Sequence, residues 1–286
     1  MLVIIGYIIV AVSVLGGYAL HGGSLGALFQ PFELLIIAGA ALGAFVCGNS
    51  SKVVKATLAS LPTTLHGSKF SKQRYLDLLA LLYEILNRVR REGLMSIEAD
   101  VEEPANSPLF QKYPTLLADH HLIEFVTDYL RLMVSGNLNP LELEALMDQE
   151  IDTHHHEALI PAGAIQRIAD GLPAFGIVAA VMGVVNVMGS VGEPPAILGG
   201  KIGAALVGTF VGILLAYGVV GPLASVIEQK ASESGKQFEC IKVALLASLN
   251  GYAPALAVEF GRKVLFSTER PTFAELEDTV RGKSAA

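Results

Sequence analysis

The sequence predicts an all-α integral membrane protein, with four transmembrane helices and a large helical polar domain between the second and the third. Three observations carry that prediction. The 286 residues are 52% hydrophobic and only 16% charged, with a mean hydropathy of +0.53, which places the chain in the membrane class. The charges are also segregated, since every Lys and Arg except Lys201 falls within residues 49–170 or 228–286. Finally, residues 202–227 contain no charged side chain and exceed the ~20 helical residues needed to cross a bilayer core.

In chain order, residues 1–20 (MLVIIGYIIVAVSVLGGYAL) are apolar throughout. With no basic segment ahead of them and no small-residue cleavage pattern, they predict a retained helix rather than a signal peptide. A short uncharged loop leads to a second span over residues 31–48, where Gly39 and Gly43 lie four apart. The two are expected to form a tight hairpin. Glu33, near the start of the second span, reads as an interfacial carboxylate reaching headgroup water.

Residues 49–170 change to an amphipathic, charged character with helical periodicity. Within YLDLLALLYEILNRV (75–89), Leu78, Leu81, Leu82 and Ile85 form one stripe, the signature of a surface helix with one buried face. Arg90, Arg91 and then Gly93 supply a basic last turn and a stop. An acidic, proline-punctuated loop (ADVEEPANSP) follows, then a helix over 116–134, and a third that starts at Asn139-Pro140 and runs toward the membrane.

The third span is expected over residues 171–191, with Pro173 in its first turn and Gly176, Ala180 and Gly183 on one face. A loop holding Glu193, Pro194, Pro195 and Lys201 joins it to the fourth span at 202–227. There Ala204, Gly208 and Gly212 fall four apart, the spacing that allows close helix packing in lipid. Thr209 and Tyr217 are hydroxyls in hydrocarbon, and Pro222 withholds a helical donor near one end. A polar tail, 228–286, completes the plan. Because basic residues flanking the spans lie almost wholly on one side, both termini and the central domain are expected in the cytoplasm.

Function classes narrow by exclusion. No phosphate loop, nucleophile elbow or HExxH motif is present, so the chain does not read as an enzyme and implies no cofactor. Cys47 and Cys240 give neither a disulfide framework nor metal spacing. His154, His155 and His156 are consecutive, point in different directions along a helix and read as a solvated face rather than a metal site. Apart from Glu33, no Asp, Glu, Lys, Arg or His sits inside any span, and ion relays need such groups. Two readings stand at this point: a conducting subunit whose partner supplies a carboxylate against the small-residue faces, or a scaffold whose small faces only pack on one another. Arg90 and Glu98 likewise read either as solvated helix-end charges or as a recognition surface for a charged partner.

The segment from Ala205 (ALVGTFVGIL), followed after seven residues by Pro222, resembles the signature of the MotA family of flagellar motor stator subunits, with TolQ and ExbB more distant. The stretches GGSLGALFQP (22–31), NLNPLELEALMDQEI (137–151), LPAFGIVAAVMGVV (172–185) and NGYAPALAVEFGRK (250–263) resemble the same family, in order and across essentially the whole chain. The resemblance implies a stator subunit of the bacterial inner membrane, a pentamer around a dimer of MotB. MotB would supply the transmembrane aspartate, and the cytoplasmic domain would push on the rotor protein FliG. It places Arg90 and Glu98 at the rotor, Pro173 and Pro222 where ion flow couples to movement, and Thr209 in the ion path with Ala180 and Tyr217. Sodium-driven relatives carry a threonine at the position of Ala180; a methyl there removes an oxygen ligand and points to protons. An energy-coupling subunit of the TolQ or ExbB kind, with periplasmic output, is the neighbouring alternative.

Overall fold

The computed structural model of the protein describes residues 2–136 and 139–284, with Arg281, Lys283 and Ser284 described by backbone alone. Met1 of the first expected span, Asn137 and Leu138 of the NLNPLELEALMDQEI stretch, and Ala285 and Ala286 of the tail lie outside the described residues. The chain forms two compact units, each discontinuous in sequence: Met1–Gly67 with Ala158–Gln229, and Ser68–Glu157 with Lys230–Ala286.

The first unit holds the apolar spans. Four helices are long and apolar enough to cross a membrane: Leu2–Leu20, Leu25–Cys47, Pro140–Met188 and Pro195–Leu249. The apolar window of Leu2–Leu20 buries none of its residues inside the protein. Such a continuous apolar surface requires a hydrocarbon solvent, because water-soluble chains do not expose patches of that extent. The protein is a membrane protein.

The third and fourth helices pack backbone against backbone. A methyl group on Gly212 would sit 2.7 Å from the Leu172 carbonyl oxygen and 2.9 Å from Gly176 Cα; one on Gly183 would sit 2.7 Å from Ala205 Cβ. One on Gly208 would meet Ala179 Cβ at 3.1 Å and the Ala180 nitrogen at 3.2 Å. The small faces predicted on these spans are therefore spent on each other, with Ala205 rather than Ala204 facing the third span. Ile37 and Ala41 of the second span join Leu172, Ala179 and Ala216 in the same buried cluster. Gly39 and Gly43, by contrast, face open space, so their spacing serves no packing within this chain. The first span touches the fourth, through Tyr7 and Val10.

Two expectations about helix limits change. Pro173 is not in a first turn but deep inside one helix of 49 residues, Pro140–Met188, which also contains Pro161. The helix starts where predicted because Asn139 and Glu142 form a capping box, with Glu142 N–H donating to Asn139 Oδ1 at 2.9 Å and Asn139 N–H to Glu142 Oε2 at 3.3 Å. Nothing after it stops the helix, so Pro173 withholds an N–H from a helical carbonyl one turn back. The fourth helix starts at Pro195, earlier than expected, since proline at its first position needs no donor. Lys201 thus lies on the helix and reaches back to Ser190 Oγ at 2.7 Å and Glu193 at 3.1 Å.

In the second unit, Ser71 caps the helix Lys72–Glu92, and Gly93, at φ 86°, ends it. Leu78, Leu81, Leu82 and Ile85 are buried as the stripe predicts, and Leu79 and Leu86 broaden it. The expected helix over 116–134 appears as His120–Ser135, closed by Gly136 in the left-handed region at φ 71°. Residues expected as a tail complete this core: Phe238, Ile241, Leu245, Val258, Leu276 and Val280 pack with Leu82, Phe125 and Tyr129. Arg74 ties the segments together, donating to Asp119 at 2.7 Å, to Gln237 at 3.2 Å and to the Thr115 carbonyl at 3.0 Å. Burial opposes ionisation of Asp119, but Lys69 and Arg74 outweigh it and hold its carboxyl below the usual range.

The solvated-face reading of the histidine run fails for His154. Its ring packs 4.6 Å from Phe238 and 6.2 Å from His121, centroid to centroid, because the helix turns this position toward the core, while His155 is half-buried and His156 exposed. Its Nδ1 is buried without a hydrogen-bond partner. Burial, and then the neighbouring His121, push its pKa down against the opposing pull of Glu157 and Asp119.

Two outcomes follow for the protein purified in detergent. Gly212→Ala should lower stability by about 1–3 kcal/mol, as overpacking does, whereas Gly39→Ala should cost nothing, since alanine is the better helix former by up to about 1 kcal/mol. Thermal unfolding midpoints decide this, and an unchanged midpoint for Gly212→Ala would contradict the contact. For His154 the folded pKa lies below the unfolded value of 6.5. The unfolded chain therefore binds a proton that the folded chain refuses, and stability present above that pH is lost as pH falls through the folded pKa. His154→Phe should flatten that part of the pH dependence of the midpoint; an identical slope in wild type and variant would show a solvated ring.

Candidate functional site

The residues singled out from the sequence fall into two groups, one in each unit. In the membrane unit, Ala180 and Thr209 lie together at the contact of the third and fourth helices. Ala180 N is among the nearest atoms to a methyl on Gly208, and Thr209 Cα lies 3.3 Å from one on Gly176. Thr209 is half-buried, and its hydroxyl makes no hydrogen bond among the described residues. An unpaired hydroxyl in hydrocarbon is uncommon, because helical threonine can usually bond its own backbone. Ala180 offers only a methyl.

Tyr217 is placed differently. Ala216 is the residue turned into the third helix, whereas Tyr217 is 70% exposed. It lies in a π-helical segment, Leu214–Val220, that interrupts the fourth helix. There Gly221 N–H donates to the Ala216 carbonyl five residues back, so the turn is one residue wider than an α-helical turn. Pro222 follows directly, exposed and without an N–H. The irregular turn and the proline thus form one local defect, close in sequence to the Gly212 contact but beyond it.

Sequence reasoning passed over one residue here. Tyr7 of the first span donates its hydroxyl proton to the carbonyl of Val219, at 2.9 Å. A phenol within an aliphatic run was the available signal. Its acceptor was not legible, because the order of spans in space is not written along the chain.

In the polar unit, Arg90 and Glu98 are both exposed, and neither makes an ion pair or side-chain hydrogen bond among the described residues. Arg90 lies in the last turn of Lys72–Glu92 and Glu98 in the first turn of Glu98–Glu102, where each complements its helix dipole. Arg91 is likewise exposed and unengaged, whereas other charges nearby are engaged. Arg88 donates to Asp100 at 2.6 Å, Ser107 donates to the other oxygen of Asp100 at 2.6 Å, and Lys112 pairs with Glu84 at 2.6 Å. Asp100 and Ser107 are buried. The bend after Gly93 is thereby fixed from within, and it presents Arg90 and Arg91 as unengaged cations and Glu98 as an unengaged anion among the described residues. Among the described residues, no three His, Cys, Asp or Glu side chains gather to hold a metal ion.

Known proteins resemble this chain in sequence and fold. Residues 4–93 match the motility protein A N-terminal family, and residues 118–240 match the MotA/TolQ/ExbB proton channel family. Motility protein A of Escherichia coli K12 is 55% identical over 98% of this chain and 95% of its own length. The chemotaxis protein LafT of Vibrio parahaemolyticus is 39% identical over 96% of each. Among solved structures, C. jejuni MotAB superposes with a TM-score of 0.77 at 20% identity, covering 94% of this chain and 98% of that one. The Bacillus subtilis flagellar MotAB stator complex gives 0.72 at 24%, covering 90% and 92%; both are likenesses of fold. With identity this high running the length of the chain, it belongs to the motility protein A branch of the MotA/TolQ/ExbB proton channel family.

Proposed function

We propose that this protein is a flagellar motor stator subunit that conducts protons together with MotB and turns their flow into torque on the rotor protein FliG. One observation carries the reading: relatives named for motility and chemotaxis match end to end, while residues 1–20, 31–48, 171–191 and 202–227 hold no Asp, Glu, Lys, Arg or His besides Glu33. A proton path along such spans needs a carboxylate from another chain, and a MotB aspartate supplies that chemistry.

In this reading several copies of the chain, five by the family resemblance, surround a MotB dimer in the inner membrane. Residues 49–170 and 228–286 lie in the cytoplasm with both termini, in keeping with the basic residues that flank the spans. Ala180, Thr209 and Tyr217 line the ion path. The unpaired hydroxyl of Thr209 is suited to a passing hydrated proton, and the methyl of Ala180 gives a sodium ion no ligand. Pro173 and Pro222 are the points where ion passage bends a helix, each lacking the N–H that would stiffen its turn. Arg90 and Glu98 face the rotor, where opposite charges set register and encounter rate more than affinity. Because the small faces of the third and fourth helices are occupied by one another, MotB meets the outward side of that pair rather than its glycines.

The test is cytoplasmic acidification in cells that express this chain with and without a constitutively open MotB, at varied external Na⁺. Flux should need both chains and ignore Na⁺; no flux from an assembled complex would return the protein to a scaffold. Reversing Arg90 and Glu98 together should abolish or strongly reduce swimming torque while leaving flux and stability unchanged, and normal torque would remove both from the rotor surface. Asp100→Ala should instead cost about 1–3 kcal/mol of stability by stranding buried Ser107 and Arg88, read as a lowered thermal midpoint.

A further inference from the structure

The first span enters the proposed cycle through a single phenol. Tyr7 lies about a third of the way along Leu2–Leu20, and its hydroxyl reaches the Val219 carbonyl at 2.9 Å across 212 residues of chain. Beside it, Val10 Cγ1 lies 3.1 Å from where a methyl on Gly218 would stand. Any side chain there would press on Val10 and on Leu214, which lies 3.3 Å from the same point. Both contacts fall within the wide turn Leu214–Val220, immediately before Pro222.

That turn is short of donors. Its π-helical pitch shifts the hydrogen-bond register by one residue, and Pro222 then contributes no N–H. In water a solvent molecule would make up the difference. In hydrocarbon the donor must come from protein, and neighbouring helices are the usual source. Tyr7 brings it.

We propose that Tyr7 is a positioning residue for the Pro222 turn: its hydroxyl fastens the widened turn of the fourth span to the first span, so that movement at Pro222 is carried to the first span instead of dissipating as local opening. The proposal rests on the stator reading for what the movement does, but not for the existence of the clamp. Because a backbone N–H at position 222 would serve Gly218 or Tyr217 and not Val219, its chemistry predicts that the hydroxyl holds the turn whether or not position 222 carries an N–H.

The test uses the purified complex of this chain with MotB, carrying Tyr7→Phe, Pro222→Ala or both, with hydrogen–deuterium exchange followed across residues 214–228. Tyr7→Phe keeps the ring and its packing. It should speed exchange in that segment about three- to tenfold, the range of one interhelical hydrogen bond in a membrane protein. In the Pro222→Ala background the same change should speed exchange by a similar factor, because the restored N–H reaches Gly218 or Tyr217 and leaves the Val219 carbonyl to Tyr7. Ion flux through the open complex should fall by a similar factor in Tyr7→Phe, at equal membrane abundance. Unaltered exchange in Tyr7→Phe in both backgrounds would overturn the clamp. Faster exchange with undiminished flux would leave a packing contact and overturn the positioning role. Absence of flux in the unmutated complex would count against the stator reading itself, with the exchange results still deciding the clamp.

Discussion

Backbone-to-backbone contact between the third and fourth helices is the constraint on which the membrane unit depends. Lipid offers apolar side chains no reason to leave it, so helices associate there through close packing and polar contacts. Gly176, Gly183, Gly208 and Gly212 meet that requirement by bringing the two backbones within van der Waals reach. The second span then fills the groove beside them with Ile37 and Ala41, and the first is left at the margin, held where a phenol finds a carbonyl. Irregularity is tolerated in the fourth helix only past this contact, where the wide turn and Pro222 follow one another.

Charge is organised on a different principle in the polar unit. Buried or half-buried charges there have partners that satisfy them: Asp119 with Arg74 and Lys69, Asp100 with Arg88 and Ser107, and Arg262 with Glu259 and the Pro271 carbonyl. Such groups hold segments together and would cost stability if one partner were lost. Arg90 and Glu98 have neither burial nor partner. They sit on a bend that other residues keep in shape, so they are available for contact without being required for the fold.

Much of this was legible in the sequence because long periodic segments announce themselves. Four apolar runs, the leucine stripe of 75–89, its stop at Gly93 and the cap at Asn139 all depend on local chemistry, and local chemistry is what a sequence displays. What was not legible depends on spatial neighbours. Pro173 looks like a first-turn proline only if Asp170 ends a helix, and nothing local reveals that the helix runs straight through. His154 looks solvated until Phe238, far along the chain, is placed beside it. The glycine spacings of the second and fourth spans look alike in sequence, yet one faces open space and the other a neighbouring backbone. The site divides in the same way: Thr209 and Pro222 stood out as polar or irregular residues in hydrocarbon, whereas Tyr7 gains meaning only from its acceptor.

The core of the polar unit draws on residues on both sides of the second pair of spans. Its central helix, Lys72–Glu92, is synthesised long before Phe238, Ile241, Val258 and Leu276, which cover it. Until those residues leave the ribosome, a broad apolar face has no lid, and the intervening chain must meanwhile enter the bilayer. Biogenesis is therefore ordered: the membrane pair is threaded first and the polar core closes last, around a contact of high sequence separation that forms late and slowly. A nascent chain halted before residue 230 would present that unlidded face to chaperones and proteases, which makes closure of the polar core a natural checkpoint for a completed subunit.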